Sequence, residues 1–132
     1  FWEPKGVFTA WIALTDVFPN SGPVRYIVGS NHWNEIRGVD FFNNDIESQD
    51  KTIKKKYNNY KVVKAEISSG SIAIHGSKTY HSSIKNTSGS PRVGMVVHFS
   101  TDKAKKISLT DRHSVYLDIL NDHSICPIIY DS

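Results

Sequence analysis

The chain has 132 residues, 39% of them hydrophobic, with a formal charge of +3 and one cysteine. That length fits one domain with a real core rather than two domains, and a lone cysteine excludes an intrachain disulfide scaffold and agrees with a reducing, cytoplasmic location. The charge comes mainly from lysines between Lys51 and Lys64 and between Lys103 and Lys106, without interleaved aromatics. No apolar run reaches the roughly 20 residues of a membrane span, so neither a nucleic acid nor a membrane is an expected partner.

The chain opens on Phe1-Trp2-Glu3-Pro4 and passes almost directly into a strand pattern, which reads as a piece cut from a longer protein. From Val7 to Asp16, Phe8, Ala10, Ile12 and Leu14 alternate with Thr9, Trp11, Ala13 and Thr15, predicting a strand with one greasy and one mixed face. The turn formers Phe18 to Pro23 precede a second strand at Val24 to Val28, which Gly29-Ser30-Asn31-His32 ends. Residues 33–60 are polar and weakly periodic, predicting an irregular excursion with one short helix near Ser48 to Tyr57.

Strand patterns return at Val62 to Ile67, Ile72 to His75, Tyr80 to Lys85 and Arg92 to Ser100. Closely spaced strands without long intervening helices predict an antiparallel sandwich or barrel, in a single domain over residues 1–132. In the tail, Tyr116, Leu117, Ile119, Leu120 and Ile125 fall at near-helical spacing before Pro127 to Tyr130.

The chemistry-bearing feature is His81-Ser82-Ser83 followed by Arg92, eleven residues after the histidine. An imidazole can ligate a metal, and a guanidinium can grip a carboxylate with two parallel hydrogen bonds. If residues 81–85 and 92–96 pair as a hairpin, His81, Ser83 and Arg92 share a face, roughly 13 Å separating histidine from arginine. A di-acid chelating a metal at one end would span that gap. The plain alternative is a surface histidine and a solvated arginine, and spacing alone favours it. His75 adds little, and His32, His98, His113 and His123 read as structural.

These residues carry a resemblance. Phe8 to Asp16, then Asn20 to His32, followed by Gly70 to Gly76, His81-Ser82-Ser83, Asn86 and Arg92, are similar to the phytanoyl-CoA dioxygenase family from Phe1 to about Phe99. The resemblance implies a mainly β, double-stranded β-helix (jelly roll), incomplete at its N-terminus. It implies that Fe(II), 2-oxoglutarate and O2 are used to hydroxylate a small-molecule substrate. His81 matches the family's second histidine ligand, and Arg92 the arginine that binds the distal carboxylate of 2-oxoglutarate. Ser83 and Trp11 match pocket-lining helpers, and Thr9 shares the face of Trp11.

The departure from the family pattern is informative. No His-x-Asp or His-x-Glu, the source of the other two ligands, occurs in the 132 residues. By alignment that motif would lie just before Phe1, so this chain alone is expected to be inactive. A halogenase-type relative stays open, because the deciding position is not in the sequence. A non-catalytic small-molecule-binding jelly roll and an assembly module also stay open, since fold does not fix function. A sheet edge left exposed upstream would favour a homodimer, and the 33–60 excursion is expected to form part of a substrate lid.

Overall fold

The computed structural model describes residues 6–37, 39, 45–104 and 122–130. The near-helical tail around Tyr116 to Leu120 and the Phe1-Trp2 pair lie outside the described residues. The chain divides into two compact units, residues 8–99 and residues 1–7 with 100–132. In the second unit the Thr101 amide donates to Gly6 O (2.8 Å), and Asp122 O accepts from Ile125 and Cys126.

Six strands are described: β1 (Val7–Ala13), β2 (Val24–Ile27), β3 (Val62–Lys64), β4 (Ile72–Gly76), β5 (His81–Ser83) and β6 (Gly94–Ser100). Each falls inside a segment whose alternation predicts a strand, except that β4 runs one residue past His75 to Gly76. One helix, α1 (Ile46–Lys56), occupies the excursion where a short helix is predicted. Its start is set by Asp45, whose Oδ1 accepts from the Ser48 amide, and Glu47 sits in its first turn. Lys54, Lys55 and Lys56 end it, each charge favourable at its end of the helix dipole.

The strands form two three-stranded sheets, in the orders β4-β1-β6 and β3-β2-β5. β1 pairs antiparallel with β4, and β2 antiparallel with both β3 and β5. The chain therefore alternates between sheets, and the fold is a jelly roll. The hairpin expected around residues 86–91 is replaced by a crossing from one sheet to the other. Asn86 closes that segment on itself, its Oδ1 accepting from Ser88 and its amide donating to Ser90 O. The Thr87 amide then donates to Asn20 O (2.8 Å), pinning the crossing to the turn ahead of β2. Gly22 in that turn has φ +73°, and a Cβ there would lie 2.6 Å from Ile84 O, so both conformation and space require glycine.

The mixed face of β1, not its greasy face, meets the second sheet. Thr9 and Trp11 are 8% exposed and Ala13 0%, whereas Leu14 is 52% exposed. Trp11 and Ala13 pack with Val17 and Val24, and Tyr26 and Ile67 lean on this cluster. The inward face carries the indole, the largest apolar ring of the strand, and of the other face only Ala10 is buried as well.

A second cluster lies on the opposite side of β2, where Ile27 packs with Ile36 and with Ile53 of α1. Trp33 stacks on Tyr57 at 3.9 Å beside Tyr60 and Tyr80. Because side chains alternate along β2, Ile27 and Arg25 point away from Tyr26. The described part of the excursion thus backs the second sheet from outside, a correction to the expected substrate lid over the site.

Candidate functional site

Register brings the functional side chains together on the inner faces. Thr9 lies opposite His75, and Trp11 opposite Ala73, across the β1/β4 pair. His81 lies opposite Tyr26, and Ser83 opposite Val24, across β2/β5. Period-two alternation then places His75, Thr9 and Trp11 on one wall and Tyr26, His81 and Ser83 on the other. The His75 ring centroid lies 4.4 Å from that of His81 and 5.0 Å from that of Tyr26, and Tyr26 stacks on His81 at 6.0 Å. Arg92, just ahead of β6, lays its guanidinium over the Trp11 indole with Cζ 5.2 Å from the ring centroid, a cation–π contact.

His81 is held in a defined tautomer. Its Nδ1 lies 2.8 Å from Thr79 O, and a carbonyl can only accept, so Nδ1 carries the proton. In the neutral ring Nε2 then holds the lone pair, the form in which histidine ligates metals. Ser30, fully buried, secures the approach to β5: its hydroxyl donates to Ile27 O (2.7 Å) and accepts from the Tyr80 amide (2.9 Å). Ser30 and Tyr80 thus position His81, a role hidden in the sequence because neither carries site chemistry itself.

Three buried side-chain atoms have no hydrogen-bond partner among the described residues: Arg92 Nη1, Tyr26 Oη and His75 Nδ1. Buried polar groups are nearly always paired, so three orphans in one place mark a site shaped for a polar group. Thr9 Oγ1 is instead paired with His98 Nδ1 at 2.9 Å. Burial, with His81 and His98 nearby, pushes the His75 imidazole from 6.5 down to about 4. Burial raises the Tyr26 phenol, against the opposing charge of Arg92.

The His75 shift has a definite sign. The unfolded chain takes up a proton near pH 6.5 and the native state only near 4, so native stability falls as pH drops through that window and is unaffected above it. Urea midpoints measured from pH 7 to 4 should fall, and His75→Gln should flatten the decline; equal slopes would refute this assignment.

His81, Arg92, Trp11, Ser83 and Thr9, the residues singled out in the sequence, all line or border this inner space. His75 and Tyr26, at its centre, were not singled out. Tyr26 looked like an ordinary strand residue, and His75 gained its place only from pairings between distant strands. Among the described residues no three His, Cys, Asp or Glu side chains form a metal-holding group, and no helix is long and apolar enough to cross a membrane.

The phytanoyl-CoA dioxygenase (PhyH) family model matches residues 1–94. The chain belongs to the phytanoyl-CoA dioxygenase family. Enzymes of this family depend on Fe(II), 2-oxoglutarate and O2. Among solved structures, the chain is similar to SnoK, a non-heme alpha ketoglutarate dependent carbocyclase from nogalamycin biosynthesis. The identity is 26% over 86% of this chain and 44% of SnoK, with a TM-score of 0.63. It also resembles SnoN, a non-heme alpha ketoglutarate dependent epimerase of the same biosynthesis, at 21% identity over 78% of this chain and 36% of SnoN, TM-score 0.59. A further SnoN structure, in complex with Fe3+, alpha ketoglutarate and nogalamycin RO, matches with a TM-score of 0.58 at 21% identity, over 78% of this chain and 39% of that one. The chain spans less than half the length of each. Comparison with curated protein sequences gave no match.

The residues present fit the family's small groups. An anionic, acceptor-only carboxylate is a suitable partner for the orphaned Arg92 nitrogen, and a metal ion for the lone pair on His81 Nε2.

Proposed function

We propose that this chain supplies the second histidine ligand and the co-substrate half of an Fe(II)/2-oxoglutarate-dependent dioxygenase that hydroxylates a small organic substrate. One observation carries the reading: His81, an exposed imidazole with its Nδ1 proton committed to Thr79 O, stands against Tyr26, whose phenol feels the charge of Arg92, a guanidinium with a buried nitrogen that has no partner among the described residues. When bound, iron and 2-oxoglutarate would supply the electrons that activate O2, a chemistry that no side chain has.

The chain's own residues bind and orient. His81 offers Nε2 to the metal. Arg92 holds the distal carboxylate, and the Trp11 indole beneath keeps its long side chain from wandering. Ser83 stands two residues from His81 on the same wall, and Thr9, oriented by His98, closes the opposite side. With one matched ligand and no His-x-Asp or His-x-Glu in its sequence, the 132-residue chain by itself should turn over little 2-oxoglutarate.

Anaerobic titration of the intact protein with Fe(II) and 2-oxoglutarate tests the assignment. A weak visible charge-transfer band from the chelate is expected, and iron binding without that band would overturn it. Among the described residues each three-stranded sheet ends in an outer strand on either side, and outer strands are the places where a second copy can pair edge to edge. A concentration-independent monomer in sedimentation would count against that contact.

A further inference from the structure

Tyr26 matches no residue so far given a role, yet its hydroxyl is one of the three orphaned atoms in the site. The ring is fixed from several sides. It leans on the cluster containing Trp11, stacks against His81 and lies tilted against His75. Arg92 caps the same indole. The Arg92 charge also acts on the Tyr26 phenol, and each group keeps a buried donor that nothing among the described residues satisfies.

Two unsatisfied donors at one core cluster call for one partner with at least two acceptor positions and no proton of its own. A carboxylate has two oxygens and about four lone-pair directions, whereas an amide or hydroxyl would bring a competing donor hydrogen. We propose that Tyr26 is a second anchor of the distal carboxylate of 2-oxoglutarate, its hydroxyl donating beside Arg92 Nη1. This rests on the reading of the site as a 2-oxoglutarate site. Tyr26 would thus join two ends of the site, since its ring also borders His75 and His81. The assignment makes Tyr26 a selector for five-carbon di-acids over 2-oxo acids that lack the far carboxylate.

Tyr26→Phe keeps the ring contacts and removes only the donor. Calorimetric titration of the intact protein in Mn(II), with 2-oxoglutarate and separately with pyruvate, provides a readout independent of turnover. Tyr26→Phe should weaken 2-oxoglutarate binding about tenfold or more, as expected for one hydrogen bond to a charged group, and leave pyruvate unchanged. Equal weakening of both acids would overturn the distal-carboxylate role. Unchanged 2-oxoglutarate affinity in Tyr26→Phe, with Arg92→Gln impaired, would overturn this inference and leave the site reading intact; unchanged affinity in both variants would overturn the site reading as well. Should Tyr26→Phe fold poorly, a 3-fluorotyrosine label at position 26 offers a second measurement. Its fluorine resonance should shift with 2-oxoglutarate and not with pyruvate, and no shift with 2-oxoglutarate would refute the contact.

Discussion

Arg92→Gln should weaken 2-oxoglutarate binding by about 30-fold to several thousand-fold, the equivalent of ~2–5 kcal/mol for removing one partner of a buried, hydrogen-bonded charge pair. Glutamine keeps a donor but loses both the charge and the planar fork. Arg92→Lys should fall between, because an ammonium retains charge but cannot make two parallel hydrogen bonds to a carboxylate. The variant protein itself should stay within about 1 kcal/mol of the parent in stability, the lost cation–π contact with Trp11 being offset. Arg92 Nη1 is buried and unpaired, so the unliganded fold bears a desolvation cost that glutamine relieves in part. The combination of lost binding with retained thermal stability separates a binding arginine from a structural one. An Arg92→Gln protein that binds 2-oxoglutarate normally would remove the basis for the proposed function.

Gly94→Ala should destabilise the fold by about 1–3 kcal/mol, the usual cost of forcing extra volume against a buried, well-packed ring. Space is the reason. A Cβ at position 94 would overlap the Trp11 ring, falling 2.8 Å from Nε1 and nearer still to the adjoining ring carbons. The neighbour that must yield is a rigid, 8%-exposed indole carrying Arg92 on its face. Loss of stability should therefore be accompanied by weaker 2-oxoglutarate binding, although residue 94 does not border the proposed carboxylate contacts. Trp11→Phe in the Gly94→Ala background should recover part of the stability, since the smaller ring frees the contested volume. Thermal denaturation of both single variants and the double variant checks this. Additive losses would mean that the two residues do not compete for the same space.

Strand positions were legible because alternation is a local property. Val24 to Val28 and Ile72 to His75 announce themselves without reference to any other segment. Sheet partners were not, because a pairing depends on residues far apart in sequence. Residues 81–85 and 92–96 look like two arms of a hairpin, yet β5 hydrogen-bonds β2 and β6 flanks β1. The facing of β1 was also hidden: two columns of apolar residues compete for the interior, and the column with the indole occupies it. In the site, His81 and Arg92 could be picked out from spacing and family likeness. His75 could not, because its proximity to His81 is created by the β1/β4 and β2/β5 registers rather than by the six residues between them.

Strand β5 is only three residues long, and its middle residue faces the other way. Ser82 accepts from Arg25 Nε (2.6 Å) on the outer surface, and the same guanidinium holds Asp50 of α1 at 2.7 Å. His81 and the surface helix are consequently coupled through one short strand. Replacing the excursion with that of a relative would keep β5 braced only for grafts that preserve an acidic group at Asp50. Without it, the imidazole would lose its external brace even though no residue inside the site had been changed.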